Sequence, residues 1–153
     1  MTKGFHPLWS ALRALGMLMT GQLRFPKGEV GQTRLLADGS HFVIFRQAVV
    51  APGSGQPAKP GAVFTVRFHV AGMTLKQNIR FSVLPMWFII GLPGFRSKYW
   101  GYIRETGDFQ GLYEWETVAH AEAYANSFAM RFMTRRSVPG SVSWSINEAA
   151  RPA

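Results

Sequence analysis

The chain of 153 residues contains no cysteine. That absence excludes disulfides, iron–sulfur clusters, thiolate zinc sites and cysteine nucleophiles together. Charged residues are also scarce, at 16%, whereas 47% of the residues are hydrophobic and 14% are aromatic. This composition excludes a disordered chain, a coiled coil and a low-complexity fibre, and the length fits one domain of ordinary size.

Acidic residues are few: 8 Asp and Glu stand against 17 Lys and Arg, for a formal charge of +9. The excess lies in residues 1–104, because residues 105–153 carry more acidic than basic side chains. A basic surface can face nucleic acid, anionic lipid or an anionic ligand. Here the basic residues are scattered singly, apart from Arg135-Arg136, and no zinc finger or RNP-like motif occurs. Nucleic-acid binding is therefore disfavoured.

Long apolar runs are missing as well. The longest uncharged stretch of note, residues 81–95, has 15 residues with two prolines, short of the ~20 that a spanning helix needs. The N-terminal segment has some features of a signal peptide. However, Arg13 interrupts its apolar stretch and no small-x-small cleavage site follows. We therefore expect the segment to be retained and the protein to be cytoplasmic.

The N-terminal segment predicts an amphipathic helix over roughly 7–20, because Pro7 suits a first helical turn. Its apolar stripe recurs at helical spacing: Leu8, Leu12, Leu15 and Met19. The favoured interpretation is that this stripe packs on the domain. The alternative is a peripheral membrane anchor, helped by nearby basic residues: Lys3, Arg13, Arg24 and Lys27.

Two strand-like runs flank Asp38-Gly39, which predicts a hairpin with a two-residue turn. The segment 51–60, APGSGQPAKP, is rich in Pro and Gly and is typical of a linker or long loop. The sequence thus divides into an N-terminal extension over 1–60, a main domain over 61–148 and a tail over 149–153.

The main domain predicts the element order β-α-β-β-α-β. Residues 62–70 alternate apolar and polar, and Thr74 with Gln77 forms a capping-box pattern that opens a helix kinked at Pro85. Two strands flank residues 106–108, a second helix runs from Thr117 to about 136, and SVSWSI forms the last strand. This order is typical of a ferredoxin-like α+β fold, with both helices on one face of an antiparallel sheet.

Four segments carry a resemblance to a known family: LPGFRSKYW, ETGDFQGLYEWET, AEAYANS and RRSVPGSVSWSI. Together they resemble the YdhR-type mono-oxygenases, which are similar to the antibiotic-biosynthesis mono-oxygenases of the dimeric α+β barrel superfamily. The resemblance covers residues 62–147. It is fairly specific for the fold and weakly specific for the chemistry, because the superfamily also includes haem-degrading enzymes.

The resemblance implies a homodimer whose sheets pack face to face, with a pocket between sheet and helices in each subunit. It also implies oxidation of a small aromatic or polycyclic substrate by O₂ without a metal or flavin. Such chemistry needs an apolar pocket, polar groups that stabilise an anion and a proton acceptor. The alternative is a binding module, non-catalytic or haem-degrading, for a hydrophobic ligand or haem.

A homodimer is also expected from the sheet itself. Its open face would expose alternating apolar residues such as Phe64, Val66, Tyr99 or Trp115, a larger patch than monomers usually show.

Seven residues are candidates for the site. His69 could be a base, and Asn78 and Tyr113 could orient and stabilise a substrate oxygen, so these three are the catalytic candidates. Aromatic side chains offer flat walls for a planar ligand, and four are assigned to substrate binding: Trp87, Tyr99, Trp115 and Tyr124. The competing interpretation of each aromatic residue is a core or interface position. No His pair at metal-ligand spacing occurs, which disfavours a metal centre.

Overall fold

The computed structural model describes residues 6–149, and within them a single antiparallel sheet of seven strands forms the centre of the molecule. The strands are β1 (Leu23–Arg24), β2 (Thr33–Leu35), β3 (His41–Val50), β4 (Ala62–Phe68), β5 (Phe95–Ile103), β6 (Phe109–Trp115) and β7 (Ser143–Glu148). The helices are α1 (Pro7–Met19), α2 (Leu75–Phe81), α3 (Val83–Ile90), α4 (Val118–Ala125) and α5 (Phe128–Arg136).

The sheet has the order β1-β3-β5-β6-β4-β7, and β2 pairs with the outer part of β3. Its four strands β5-β6-β4-β7 are the ferredoxin-like core, and the helices between them follow the predicted order. The predicted α+β fold class is therefore confirmed. The main hydrophobic core lies between this sheet and the helices.

The N-terminal part of the chain extends the same sheet. Strand β3 pairs with β5 from Phe42 opposite Ile103 to Val49 opposite Ser97, with a bulge after Ile44. The β2–β3 hairpin forms as predicted, but its turn is longer than two residues, since Leu35 pairs with His41. Within this turn only Gly39 has a positive φ, +83°.

Each of the two predicted helices is divided into two. The first breaks at Ser82, because Pro85 has no N–H for the Phe81 carbonyl and its ring excludes that carbonyl from a continuous helix. The second breaks at residues 126–127, where Ser127 caps α5 by accepting a hydrogen bond from the Met130 amide. The predicted capping box of Thr74 and Gln77 is present.

The two faces of the sheet differ from the expectation. Phe64, Val66 and Trp115 lie beneath the helices and are fully buried there, so they are not exposed on the open face. Alternate residues of a strand face the same side of the sheet. Phe64, Val66 and Trp115 share a side with Ala62 and Tyr113, which belong to the core beneath the helices. On the opposite face Phe42, Ile44 and Ile103 form a second cluster against which Tyr99 packs.

The homodimer stays a prediction that now depends on the remaining half-buried part of the open face, around Val63, Thr65 and Leu112. Sedimentation at micromolar concentration should give about twice the chain mass. Thr65→Arg should shift the protein towards a monomer, because Thr65 lies on β4 between two paired strands, whereas Thr33→Arg on β2 should not. A monomeric wild-type protein would contradict the prediction.

Helix α1 forms over the predicted residues, but its packing is the reverse of the favoured interpretation. Ser10, Ala14 and Met17 are the buried residues of α1, whereas the leucine stripe faces outward. The reason lies at the end of α3, where a Cβ on Gly91 would come within 1.6 Å of the Ser10 carbonyl oxygen. Only a helix face of small residues fits so close a backbone approach. Among residues 6–149, no helix is long and apolar enough to cross a bilayer.

Candidate functional site

A pocket lies between the sheet and helices α2, α3, α4 and α5. The cavity volume of its enclosed part is about 80 Å³. Most of the wall is aromatic or aliphatic, and the residues that define it include Asn78, Phe81, Lys98, Trp100, Phe109, Tyr113, Tyr124, Phe132 and Arg136. One aromatic ring fills the enclosed part, so a larger ligand must extend through the mouth.

Lys98 is the most unusual residue of this pocket. It lies on β5 in phase with Trp100 and directly opposite Tyr113 on β6, and it is only 5% exposed. Its Nζ atom donates a hydrogen bond of 2.5 Å to the Tyr113 hydroxyl and lies 4.1 Å and 4.4 Å from the ring centres of Tyr113 and Trp100. No carboxylate within residues 6–149 forms an ion pair with it.

Burial without a counter-ion lowers the pKa of Lys98 well below its usual 10.5, and the positive charge of Arg46 adds to this effect. Arg46 comes from β3, in the N-terminal part of the chain. Its guanidinium is held by the Ser82 hydroxyl at 2.8 Å and lies 5.6 Å from the centre of the Trp100 ring. A lysine with a depressed pKa in an apolar pocket can accept a proton at neutral pH.

Two tyrosines continue the hydrogen-bonded chain from Lys98. The hydroxyls of Tyr113 and Tyr124 are 2.8 Å apart, and burial raises the pKa of both phenols. Their rings meet Trp115, which stacks on Tyr124 at 5.0 Å and on Tyr113 at 6.2 Å between centroids. Lys98, Tyr113 and Tyr124, which we call the Lys98 chain, therefore form a continuous hydrogen-bonded network in a buried, largely apolar environment.

Asn78 brings a second polar group to the pocket. The capping box at Thr74 starts α2 so that Asn78 is the buried residue of this short helix, 7% exposed. Its backbone is bonded within the helix, but its side-chain amide has no protein hydrogen-bond partner among the residues described. A carboxamide in this state can bind a ligand oxygen or a ligand hydroxyl.

The mouth of the pocket is built from aromatic rings and one cation. Phe81 on α2 and Phe132 on α5 stack at 6.3 Å between ring centres. The Arg136 guanidinium lies 4.2 Å from the centre of the Phe81 ring, and its Nη2 is 3.6 Å from the Met73 sulfur. These contacts give the mouth a flat, positively charged rim that suits an aromatic ligand.

Of the seven candidate residues, three line this pocket together: Asn78, Tyr113 and Tyr124. Trp115 lies behind the two tyrosines and does not reach the space. Trp87 packs against Phe25, 6.1 Å away between ring centres, and is outside the pocket lining.

The other two candidates lie elsewhere. Tyr99 is on the opposite face of the sheet, where the Arg34 guanidinium covers its ring at 4.5 Å. His69 follows the end of β4, about half exposed, with its Nδ1 2.8 Å from an Asp108 oxygen. The sequence interpretation also missed Lys98, because Arg96 and Arg104 share its phase along the strand and make it look like one of several surface cations.

The pocket residues do not fit haem or a metal ion. None of the four histidines lines the pocket, and no cluster of three metal-ligating side chains occurs within residues 6–149. The Tyr113 and Tyr124 hydroxyls are bonded to each other rather than free for an iron.

Comparison with solved structures defines the class of fold. The chain matches an uncharacterised ferredoxin-fold protein from Listeria monocytogenes related to antibiotic biosynthesis monooxygenases, with a TM-score of 0.55 and 11% identity over 90% of this chain and 88% of that one. A heme-degrading enzyme from Listeria monocytogenes gives a TM-score of 0.53 and 14% identity, over 86% and 90% of the two chains.

A monooxygenase-like protein from Listeria innocua gives a TM-score of 0.56 and 11% identity, over 78% of this chain and 69% of that one. No protein-family model matches the sequence, and no curated protein matches it significantly. At these identities the likeness establishes a shared fold only. The chemistry of this chain must be inferred from the residues of its pocket.

Proposed function

We propose that the protein is a cofactor-independent mono-oxygenase of the YdhR type, which oxidises a small aromatic substrate carrying an acidic C–H or O–H group. The observation that carries this proposal is the Lys98 chain, a buried amine without a counter-ion at the end of an aromatic pocket. The fold neighbours described as monooxygenase-like support it.

The first step is proton transfer. The neutral Lys98 amine takes the proton of the bound substrate, and the resulting ammonium lies over the Trp100 and Tyr113 rings, whose faces stabilise a cation. The substrate is left as an anion beside this new positive charge. Asn78 donates a hydrogen bond to the substrate oxygen on which the negative charge is delocalised.

The second step consumes O₂ and balances without an external reductant. The anion gives one electron to O₂, and the substrate radical and superoxide combine into a carbon–oxygen bond. The Lys98 ammonium returns its proton to the peroxide formed. Loss of water from that peroxide leaves a carbonyl, so a methylene and O₂ become a ketone and water. The four electrons that reduce O₂ come from the two C–H bonds of the substrate.

The substrate class follows from this balance and from the pocket. A methylene between an aromatic ring and a carbonyl-bearing ring, as in an anthrone, is acidic and electron-rich. One ring of such a molecule fits the enclosed space, while the rest lies against the stacked rings of Phe81 and Phe132 at the mouth. The basic rim at Arg136 complements the negative charge that forms.

Oxygen uptake by the purified, chelator-treated protein with an anthrone tests the proposal. We expect uptake above the uncatalysed rate, one ketone formed per O₂ consumed, and, with heavy-isotope O₂, one labelled atom in the ketone. Lys76→Met, at an exposed lysine on α2, should leave the rate unchanged. Uptake at the background rate, or release of all consumed oxygen as free peroxide, would contradict the proposal.

A further inference from the structure

We propose that the outer surface of α1 docks the protein on an anionic lipid surface. The outward α1 face consists of the residues Leu8, Trp9, Leu12, Leu15 and Met19. Leu8 is 66% exposed, Leu12 64% and Met19 81%. A contiguous row of large apolar side chains on one helix is more than a monomer surface ordinarily carries, and it is independent of the chemistry proposed above.

The packing of α1 fixes which of its sides faces outward. The residues that anchor the helix, Ser10, Ala14 and Met17, lie on the side opposite the leucine stripe. The apolar stripe of an amphipathic helix normally faces the protein core. Here it faces away from the protein, while the opposite side of α1 approaches Gly91 closely at Ser10. Helices with this arrangement lie in the interface of a bilayer with the apolar side inserted.

Charge selects an anionic lipid surface as the occupant. The five helices within residues 6–149 carry one acidic residue, Glu122, and six basic ones: Arg13, Lys76, Arg80, Arg131, Arg135 and Arg136. Five of these six are exposed. Arg13 lies on α1 itself, and α5, which carries Arg131, Arg135 and Arg136, borders the groove that begins at Pro7. Cationic residues beside an inserted apolar helix are attracted to anionic headgroups, and Trp9 is the residue type favoured at a membrane interface.

The docked orientation would also bring the pocket to the lipid. An apolar groove joins Pro7 at the start of α1 to Phe88 on α3 and Phe132 on α5. It shares Pro85, Ala129 and Phe132 with the wall of the pocket. A hydrophobic ligand dissolved in the bilayer therefore has an apolar route from α1 to the mouth.

Flotation of the full chain with phosphatidylcholine vesicles, with and without phosphatidylglycerol, tests this proposal. We expect binding that needs phosphatidylglycerol and weakens at high salt. Leu12→Gln should reduce the bound fraction several-fold, and the double variant Leu8→Gln/Leu12→Gln should reduce it about tenfold or more. Glutamine is a good helix former, so α1 should remain intact. Leu35→Gln, at a leucine exposed on β2, is the matched control and should bind like the wild type.

Tryptophan fluorescence gives a second readout. Vesicles should shift the emission of the wild type to shorter wavelength, and Trp9→Phe should lose the shift while Trp144→Phe keeps it. Failure of the wild type to bind anionic vesicles would overturn the proposal, as would equal binding by the Leu8→Gln/Leu12→Gln variant. Self-association that depends on Leu12, without vesicle binding, would assign the face to a protein partner instead.

Discussion

Replacement of Lys98 by methionine should lower the rate of oxygen uptake by about 10²–10³-fold, because it removes the proposed base and the charge that stabilises the anion. Methionine has a similar length and is apolar, so the pocket should keep its shape. The measurement is the steady-state rate with an anthrone. Tyr113→Phe should cause a smaller loss, since it removes the hydroxyl that receives the Lys98 hydrogen bond and leaves the amine in place.

The same variant should be more stable than the wild type at neutral pH. The pKa of Lys98 in the folded chain lies below its usual 10.5. Between those two values the unfolded chain therefore binds a proton that the folded chain does not. The free energy of unfolding of the wild type must then fall as the pH falls from about 10.5 towards the folded-state pKa of Lys98. Lys98→Met lacks this dependence.

Urea titrations across that pH window measure the difference. The advantage of Lys98→Met should widen as the pH is lowered and level off below the folded-state pKa, whereas Lys76→Met should show no such trend. A variant that is both more stable and inactive cannot owe its loss of activity to misfolding. A difference in stability that does not change with pH would mean that Lys98 is charged in the folded protein.

Replacement of Trp115 by alanine should reduce the free energy of unfolding by about 3–5 kcal/mol, the usual cost of truncating a buried tryptophan. Trp115 is completely buried between Phe95, Tyr113 and Tyr124. Trp115 packs behind the two tyrosines and does not line the pocket. The variant should therefore lose activity because the folded state is destabilised, and not because a substrate contact is lost. The urea midpoint at an unchanged slope is the quantity to compare.

Two variants make this test specific. Trp115→Phe should cost clearly less, because it keeps a ring and removes the buried indole N–H, which has no hydrogen-bond partner in the described part of the chain. Trp144→Ala, at a half-exposed tryptophan stacked on Phe64, should also cost less. If Trp115→Ala weakened ligand binding at unchanged stability, Trp115 would be a wall of the pocket after all.

Local sequence signals predicted most of the fold. The capping box at Thr74 and the alternation along β4 are short-range patterns, and both are present. The sequence predicted the helix breaks less well. At Pro85, for example, a proline inside a helical pattern allows either a kink or a complete break. The sequence could not predict which face of α1 packs against the protein, because an apolar stripe does not show whether the rest of the chain covers it. That choice depends on Gly91, far along the chain, which lets α1 approach the end of α3 closely at Ser10.

A related reason explains which of the sequence candidates lie together in one pocket. Asn78, Tyr113 and Tyr124 come together because the predicted order of elements brings α2, β6 and α4 around one space. Tyr99 lies outside this pocket, because neighbouring residues of a strand face opposite ways and the pairing with β6 fixes which side of β5 faces the helices. The importance of Lys98 depends on the absence of an ion-pairing carboxylate among residues 6–149, and tertiary packing decides that absence.

The most direct test of the central claim is the absorption spectrum of 4-nitrophenol bound to the protein, at a pH where the free ligand is protonated and colourless. It has one ring, which suits the enclosed part of the pocket. If the Lys98 amine takes the proton of a bound acid, the yellow phenolate band should appear when wild-type protein is added and should be absent with Lys98→Met. A ligand that binds near Tyr113 and Asn78 yet keeps the spectrum of the protonated phenol would contradict the account.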